Sequence, residues 1–306
     1  VKMKILVLGI GGIGGFFGGY LSEIGADVTF LVRPKRQKLL TNNGLNIISS
    51  LGNLSLKPKM VLAEGLTPIY DIIIITCKTY DLDQAISDLK LCKGKGLIIP
   101  LLNGVTHMKK LDKEYGYSNV MGGVVHISST VNKNGTIEHF SDFRKLTFGD
   151  RSLINNEAIN SFYQICKKTK FDVILSDNIN LDLWKKWVFI ATVAGATTLF
   201  NTSLGQISKQ TYGKQLIIDL FEECKAIGEM NGYVFDKLEA DNIIKNITAD
   251  GSLIKASMQR DVEKKSFTEH EEIFGDLISA GNKKQINYPI LSSCFVNMKI
   301  YNETIN

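Results

Sequence analysis

The apolar positions of this 306-residue chain change their spacing a little past the midpoint. In the first part, residues 4–8 (KILVL), 27–32, 71–77 and 97–102 are apolar runs without the alternation of a half-exposed strand. Such runs suit strands covered on both faces, and the stretch 16–24, ending at Gly25, reads as a helix joining the first two. The pattern predicts a parallel βαβ sheet. From about Asp177 the strand signals fade, and longer helical patterns predict helices over 181–199, 212–231, 235–247 and 267–280. No internal repeat is visible, and no Gly/Ser linker separates the halves.

Between the first run and the first helix stands Gly9-Ile10-Gly11-Gly12-Ile13-Gly14, a GxGxxG. Gly9 would allow the tight turn, Gly11 the approach of a pyrophosphate, and Gly14 close helix–strand packing, with phosphates at the helix N-terminus. The motif alone is weak, because glycines also serve tight turns. Here it follows a strand, opens a helix and precedes a second strand, the context a dinucleotide site requires. The fold class predicted is α/β: an N-terminal Rossmann-type parallel-sheet domain, residues 1–176, followed by a mainly α-helical C-terminal domain, residues 177–306. The second strand ends not in an acid but in Val32-Arg33-Pro34-Lys35-Arg36. A carboxylate there would repel a 2′-phosphate, whereas a guanidinium can meet it with paired hydrogen bonds. NADP(H) is therefore favoured as cofactor, a solvated basic loop being the plainer alternative.

Composition narrows the partners. The chain is 44% hydrophobic and 22% charged, enough for one large or two ordinary domains with real cores. Its formal charge of +5 is spread out, without the dense basic blocks that grip nucleic acid, so small anionic ligands fit better. The five cysteines are far apart and form no CxxC pair, which argues against a disulfide framework or a zinc site and for a reducing cytoplasm. The apolar start runs into glycines rather than a cleavage site, so no signal peptide is read. The apolar run 187–200 falls short of the roughly 20 residues that span a bilayer, so no membrane segment is expected.

Other candidates sit where chemistry is expected. Lys78 and Asn103 each follow an apolar run, and ligands of open parallel sheets bind outside the carboxyl ends of strands. Each also has an ordinary reading, as an exposed lysine and an Asn-Gly turn. In LDLWKKWVFIATVA (181–194), Lys185 and Lys186 both lie beside apolar groups on a helix. Either can snorkel, laying its stem on apolar surface; either can instead donate a proton to a carbonyl being reduced. Helical spacing does not choose between them.

Taken in order, several stretches resemble the ketopantoate reductases (2-dehydropantoate 2-reductases) over nearly the whole chain. They are GIGGIGGFFGGYL, Arg33, CKTYD around Lys78, LLNGV around Asn103, GGVVH and NGTIEH between 122 and 139, LWKKW, and ASMQRDVEKKSFTE at 256–269. The resemblance implies that Lys186 is the general acid. It implies that Asn103 lies near the nicotinamide ribose and the substrate, Lys78 near the cofactor and Glu269 near both ligands, and that Ser257 binds substrate. Without it, Glu269 followed by His270, Glu271 and Glu272 would read as a solvated face. Ile190 and Ala194, four and eight residues after Lys186, stand at substrate-binding positions where relatives carry asparagines, as do Leu204 and Phe274.

The function so implied is NADPH-dependent reduction of a 2-keto acid, by default 2-dehydropantoate to pantoate in pantothenate biosynthesis. The partner is then a small 2-keto acid, with no nucleic acid, membrane or metal; a homodimer is left open. Ile190 and Ala194 suggest a drier pocket suited to an apolar branched tail. Two alternatives stay open: a non-enzymatic NADP(H)-sensing protein on the same fold, and a related hydroxyacid dehydrogenase with a more apolar substrate.

Overall fold

The computed structural model describes residues 2–152, 156–282 and 287–305. By contacts the chain divides into two units, one of residues 1–102 with 107–182, the other of 103–106 with 183–306. The expected boundary at 176/177 thus falls a few residues early, and a four-residue segment from mid-chain groups with the C-terminal helices.

The first unit contains two sheets. Strands β1 (Lys4–Leu8) and β2 (Asp27–Leu31) flank helix α1 (Gly12–Glu23) in sequence, followed by α2 (Pro34–Asn43). Next come β3 (Leu45–Ile48), β4 (Leu54–Leu56), β5 (Lys59–Val61), β6 (Ile72–Ile75), α3 (Leu82–Asp88), β7 (Leu97–Pro100) and α4 (His107–Tyr115). One sheet has the order β5-β2-β1-β6-β7 with every pairing parallel. All four residues of β6 are buried isoleucines, as expected of a strand covered on both faces. The order reverses between β1 and β6, where the crevice beyond the strand ends opens in doubly wound sheets.

The second sheet was not foreseen. It has the order β10-β9-β3-β4, with β8 (Gly122–Val131) paired antiparallel to β9 (Ile137–Gly149); α5 (Glu157–Cys166) precedes β10 (Asp172–Leu175). Its long hairpin hides from hydrophobic periodicity because β9 turns polar groups inward. His139 is buried, with its ring nitrogens 2.9 Å from Ser49 Oγ and 3.0 Å from the Phe143 carbonyl.

Helix α1 touches both sheets, and its glycines explain how. A Cβ on Gly18 would meet the Phe30 ring of β2 at 2.6 Å, and one on Gly19 would meet Ile47 of β3 at 2.6 Å. Gly14 faces the first sheet, and Gly15 faces Ile137 of the second. Two glycine stripes, each at i and i+4, let the helix backbone approach on both sides. Phe16, Phe17 and Tyr20 fill the remaining space, buried and edge-on to one another. The helix starts at Gly12 rather than 16 because the glycines form its first turn.

The second unit is helical: α6 (Ile179–Leu199), within which the division between units falls, then α7 (Leu204–Ser208), α8 (Gly213–Met230), α9 (Lys237–Ile247), α10 (Ser257–Glu263), α11 (Asp276–Asn282) and α12 (Pro289–Thr304). Helix α9 begins after Asp236, whose carboxylate accepts the Leu238 and Glu239 amides at 2.9 and 3.2 Å. The helix expected over 267–280 runs from 270 to 282, with a π-helical turn at Glu271–Gly275 leading into α11. In α6 the hydroxyls of Thr192, Thr197 and Thr198 donate to carbonyls four residues back, so they are buried without loss of hydrogen bonding. No helix among the described residues is long and apolar enough to cross a membrane.

A Cβ at Gly14 would overlap the Gly9 carbonyl and the Thr76 hydroxyl. Overpacking of this kind costs roughly 1–3 kcal/mol, so Gly14→Ala is expected to lower the thermal midpoint by roughly 2–10 °C. A calorimetric scan with an unchanged midpoint would contradict this packing.

Candidate active site

In the first unit the candidate residues gather beyond the ends of β1, β2 and β6. Gly9 adopts φ +95°, the turn that only glycine takes without strain, and its amide donates to the Leu31 carbonyl at 3.3 Å. Thr76, directly after β6, donates its hydroxyl to Leu8 and Gly9 carbonyls at 2.9 and 3.1 Å. Arg36 reaches the Ile10 and Gly135 carbonyls, both at 3.1 Å. These two side chains, which the sequence did not single out, pin the glycine loop. Gly11, at the N-cap of α1, has nothing within 4 Å of where a Cβ would stand, whereas Gly12 is closed off by Ser129 of β8. Ile10 is buried beneath the loop, and Ile13 packs against the same core.

Arg33 lies at the N-cap of α2, ahead of Pro34, with its guanidinium mostly exposed. It pairs with Asp81 at 2.8 Å. Lys78 caps the short 3-10 turn Thr79–Asp81 that follows β6, so its backbone carries the turn that presents Asp81. The pair was not anticipated, because an Asp just before a helix reads from sequence as an N-cap.

In the second unit, three candidates converge. Asn103 Nδ2 donates to Glu269 Oε2 at 3.4 Å, a long bond, and the buried Glu269 acts electrostatically on Lys186. Burial pulls the Lys186 ammonium down to about 8, while the Glu269 charge works in the opposite direction. The segment bearing Asn103 is held to the helices at several points. Thr106 donates to the Asp276 carboxylate, Val105 joins the helical core, and a Cβ on Gly104 would stand 3.1 Å from the Glu272 carbonyl. Next to Lys186, Trp187 donates its indole N–H to the Ile273 carbonyl in the π-helical turn at 3.0 Å. Burial also pushes the Glu272 carboxyl up, with Glu269, Asp276 and Glu271 adding to the effect.

The two lysines separate clearly. Lys185 Nζ pairs with Glu239 at 2.5 Å. Lys186 is half-buried and feels the charge of the buried Glu269. Ile190 is half-buried against the helical core and Ala194 is buried; both follow Lys186 at helical i+4 spacing. Leu204 and Phe274 are fully buried in the helical core. Ser257 is exposed at the first position of α10. Among the described residues, no cluster of His, Cys, Asp or Glu is arranged to hold a metal ion.

A parallel sheet with a glycine turn at its switch point, followed along the chain by a helical unit carrying a half-buried lysine, places the protein in the dinucleotide-fold class. Residues 5–152 match the model of the family described as ketopantoate reductase PanE/ApbA, and 178–301 match its C-terminal counterpart. The chain belongs to the ketopantoate reductase family. It is 36% identical over 300 residues to the uncharacterized oxidoreductase YkpB of Bacillus subtilis, covering 98% of this chain and 99% of that one. The fold matches the crystal structure of 2-dehydropantoate 2-reductase from Geobacter metallireducens GS-15 with TM-score 0.88 at 21% identity, covering 97% and 99% of the two chains. It also matches D-mandelate dehydrogenase, in its ternary structure with NADH and anilino(oxo)acetate, with TM-score 0.87 at 19% identity over 99% and 100% of the chains.

Burial, which lowers the Lys186 pKa to about 8, makes it give up its proton more readily than an ordinary lysine. Titration of its side chain by heteronuclear NMR is expected to centre near 8. Glu269→Gln removes the charge that favours the ammonium, so the midpoint should move lower; a rise would contradict the assigned pairing.

Proposed function

We propose that the chain reduces a 2-keto acid to the 2-hydroxy acid with NADP(H), Lys186 acting as the general acid. The observation that carries this reading is the grouping of Lys186, Glu269 and Asn103, with the lysine's affinity for its proton lowered by burial. Membership of the ketopantoate reductase family supports the reaction type, and 2-dehydropantoate is the default substrate.

The residues of the first unit fit a dinucleotide. The open surface at Gly11 and the N-terminal turn of α1 suit a pyrophosphate, Gly9–Gly14 form the loop, and Arg33 and Lys78 bring cations to the same strand ends. The nicotinamide, when bound, supplies the hydride to the 2-carbon. Lys186 places its ammonium against the oxygen on which negative charge grows, then transfers a proton to it. Asn103 offers an amide to the substrate or the ribose, and Glu269 holds the ammonium in place. The preference for NADP(H) rests on Arg33 standing where an acid would favour a free ribose hydroxyl.

Ile190, half-buried one turn beyond Lys186, presents only methyl and methylene groups, and Ala194 one turn further is buried in the core. Such a surface suits a 2-keto acid with an apolar, branched or aromatic tail. An apolar pocket discriminates against an added hydroxyl only weakly, by roughly 100-fold at most.

Lys186→Ala is expected to cut turnover by at least roughly two orders of magnitude, the scale of a lost general acid. Lys185→Ala should leave turnover near that of the parent, and the reverse result would move the role to Lys185. In the parent enzyme, reduction should weaken as pH rises through about 8, because the ammonium is the active form. For the substrate, kcat/KM for 2-ketoisovalerate should equal or exceed that for ketopantoate. A large advantage for ketopantoate would refute the apolar-tail reading.

A further inference from the structure

The Arg33–Asp81 pair bears on cofactor choice, an inference that rests on the dinucleotide reading above. Strands β2 and β6 both run parallel to β1 on either side of it, so the segments that follow them emerge at the same edge of the sheet. Arg33 comes from the first of these segments and Asp81 from the second, and they meet at 2.8 Å. A carboxylate therefore stands beside the end of β2 after all, delivered from the neighbouring strand's loop instead of from β2 itself. Asp81 occupies the N-cap position of α3 yet makes no capping bond. A capping carboxylate contributes at least as much stability as an exposed ion pair, so helix stability does not force Asp81 towards Arg33.

We propose that Asp81 is a specificity-determining residue: its carboxylate competes with a 2′-phosphate for Arg33 and accepts a hydrogen bond from a free ribose 2′-hydroxyl, so the chain takes NADH alongside NADPH. The chemistry follows from what each ligand offers. A 2′-phosphate carries nearly two negative charges and only acceptors; it gains Arg33 but must displace the carboxylate and then remain near it. A 2′-hydroxyl carries a donor, which the carboxylate accepts while its ion pair with Arg33 is retained. Arg33 and Asp81 thus pull the preference in opposite directions, and the pair is exposed enough for either ligand to reach it. Replacing the acid by its neutral isostere removes the competition and the repulsion together, leaving the guanidinium to the phosphate.

Calorimetric titration of the full chain at low salt tests this with 2′,5′-ADP and 5′-ADP, ligands that differ at the 2′ position and involve no turnover. Asp81→Asn should tighten 2′,5′-ADP roughly three- to tenfold and weaken 5′-ADP, the range expected for an exposed carboxylate facing a dianion. Asp81→Ser, which keeps a capping side chain for α3, should shift the ratio in the same direction. An unchanged ratio in both variants, or a ratio moving towards 5′-ADP, overturns the role of Asp81. Arg33→Ala should selectively weaken 2′,5′-ADP. If the parent chain binds neither ADP ligand nor either nicotinamide dinucleotide, the cofactor reading itself falls and this inference falls with it.

Discussion

The first unit depends on how closely α1 can approach two sheets at once. Phe30 on one side and Ile47 and Ile137 on the other stand where side chains of the helix would otherwise be. With Gly14, Gly15, Gly18 and Gly19 in those positions, the helix backbone itself becomes the packing surface. The consequence reaches the loop before it. Because α1 lies against β1, its first turn starts directly beyond the strand end, and Thr76 and Arg36 can tie the loop carbonyls in place. A bulkier helix would have to stand off, and the amides of its first turn would lose the alignment that suits an anion.

The second unit is organised around a different constraint, a charge held against apolar packing. An ammonium on a helix with Trp184, Trp187 and Val188 loses solvation, and the buried Glu269 offsets part of that loss. The lysine keeps its proton at neutral pH while binding it less tightly than usual. The surroundings are built to hold this arrangement: the Trp187 indole is fixed by the Ile273 carbonyl, and the Asn103 segment is fixed by Asp276 through Thr106. Irregular backbone recurs where it is needed, in the π-helical turn at 271–275 and the positive φ of +75° at Gly104.

The departures from the family pattern differ in burial. Leu204 and Phe274 are core residues whose apolar character is explained by packing. Ile190 is only half-buried, at helical spacing from Lys186, which is why the proposed apolar-tail preference rests on it. The same distinction separates Lys185, balanced at the surface by Glu239, from Lys186. Neither distinction can be made from helical spacing, which places neighbouring residues on adjoining faces without saying which face is covered.

What the sequence by itself determined is local. Uninterrupted β-branched runs specify buried parallel strands, the glycine turn specifies the entry to α1, and the long apolar stretch after Asp177 specifies helix, because each pattern reflects backbone geometry within a few residues. The second sheet escaped that logic, since the inward His139 of β9 is satisfied by Ser49, which is remote in sequence. Only the tertiary structure decided that Asn103 groups with Glu269, that Arg33 is met by Asp81, and which lysine meets Glu239 and which feels Glu269. Hydrogen bonds, ion pairs and desolvation depend on distance in space, and these partners are separated along the chain by lengths that no local pattern records.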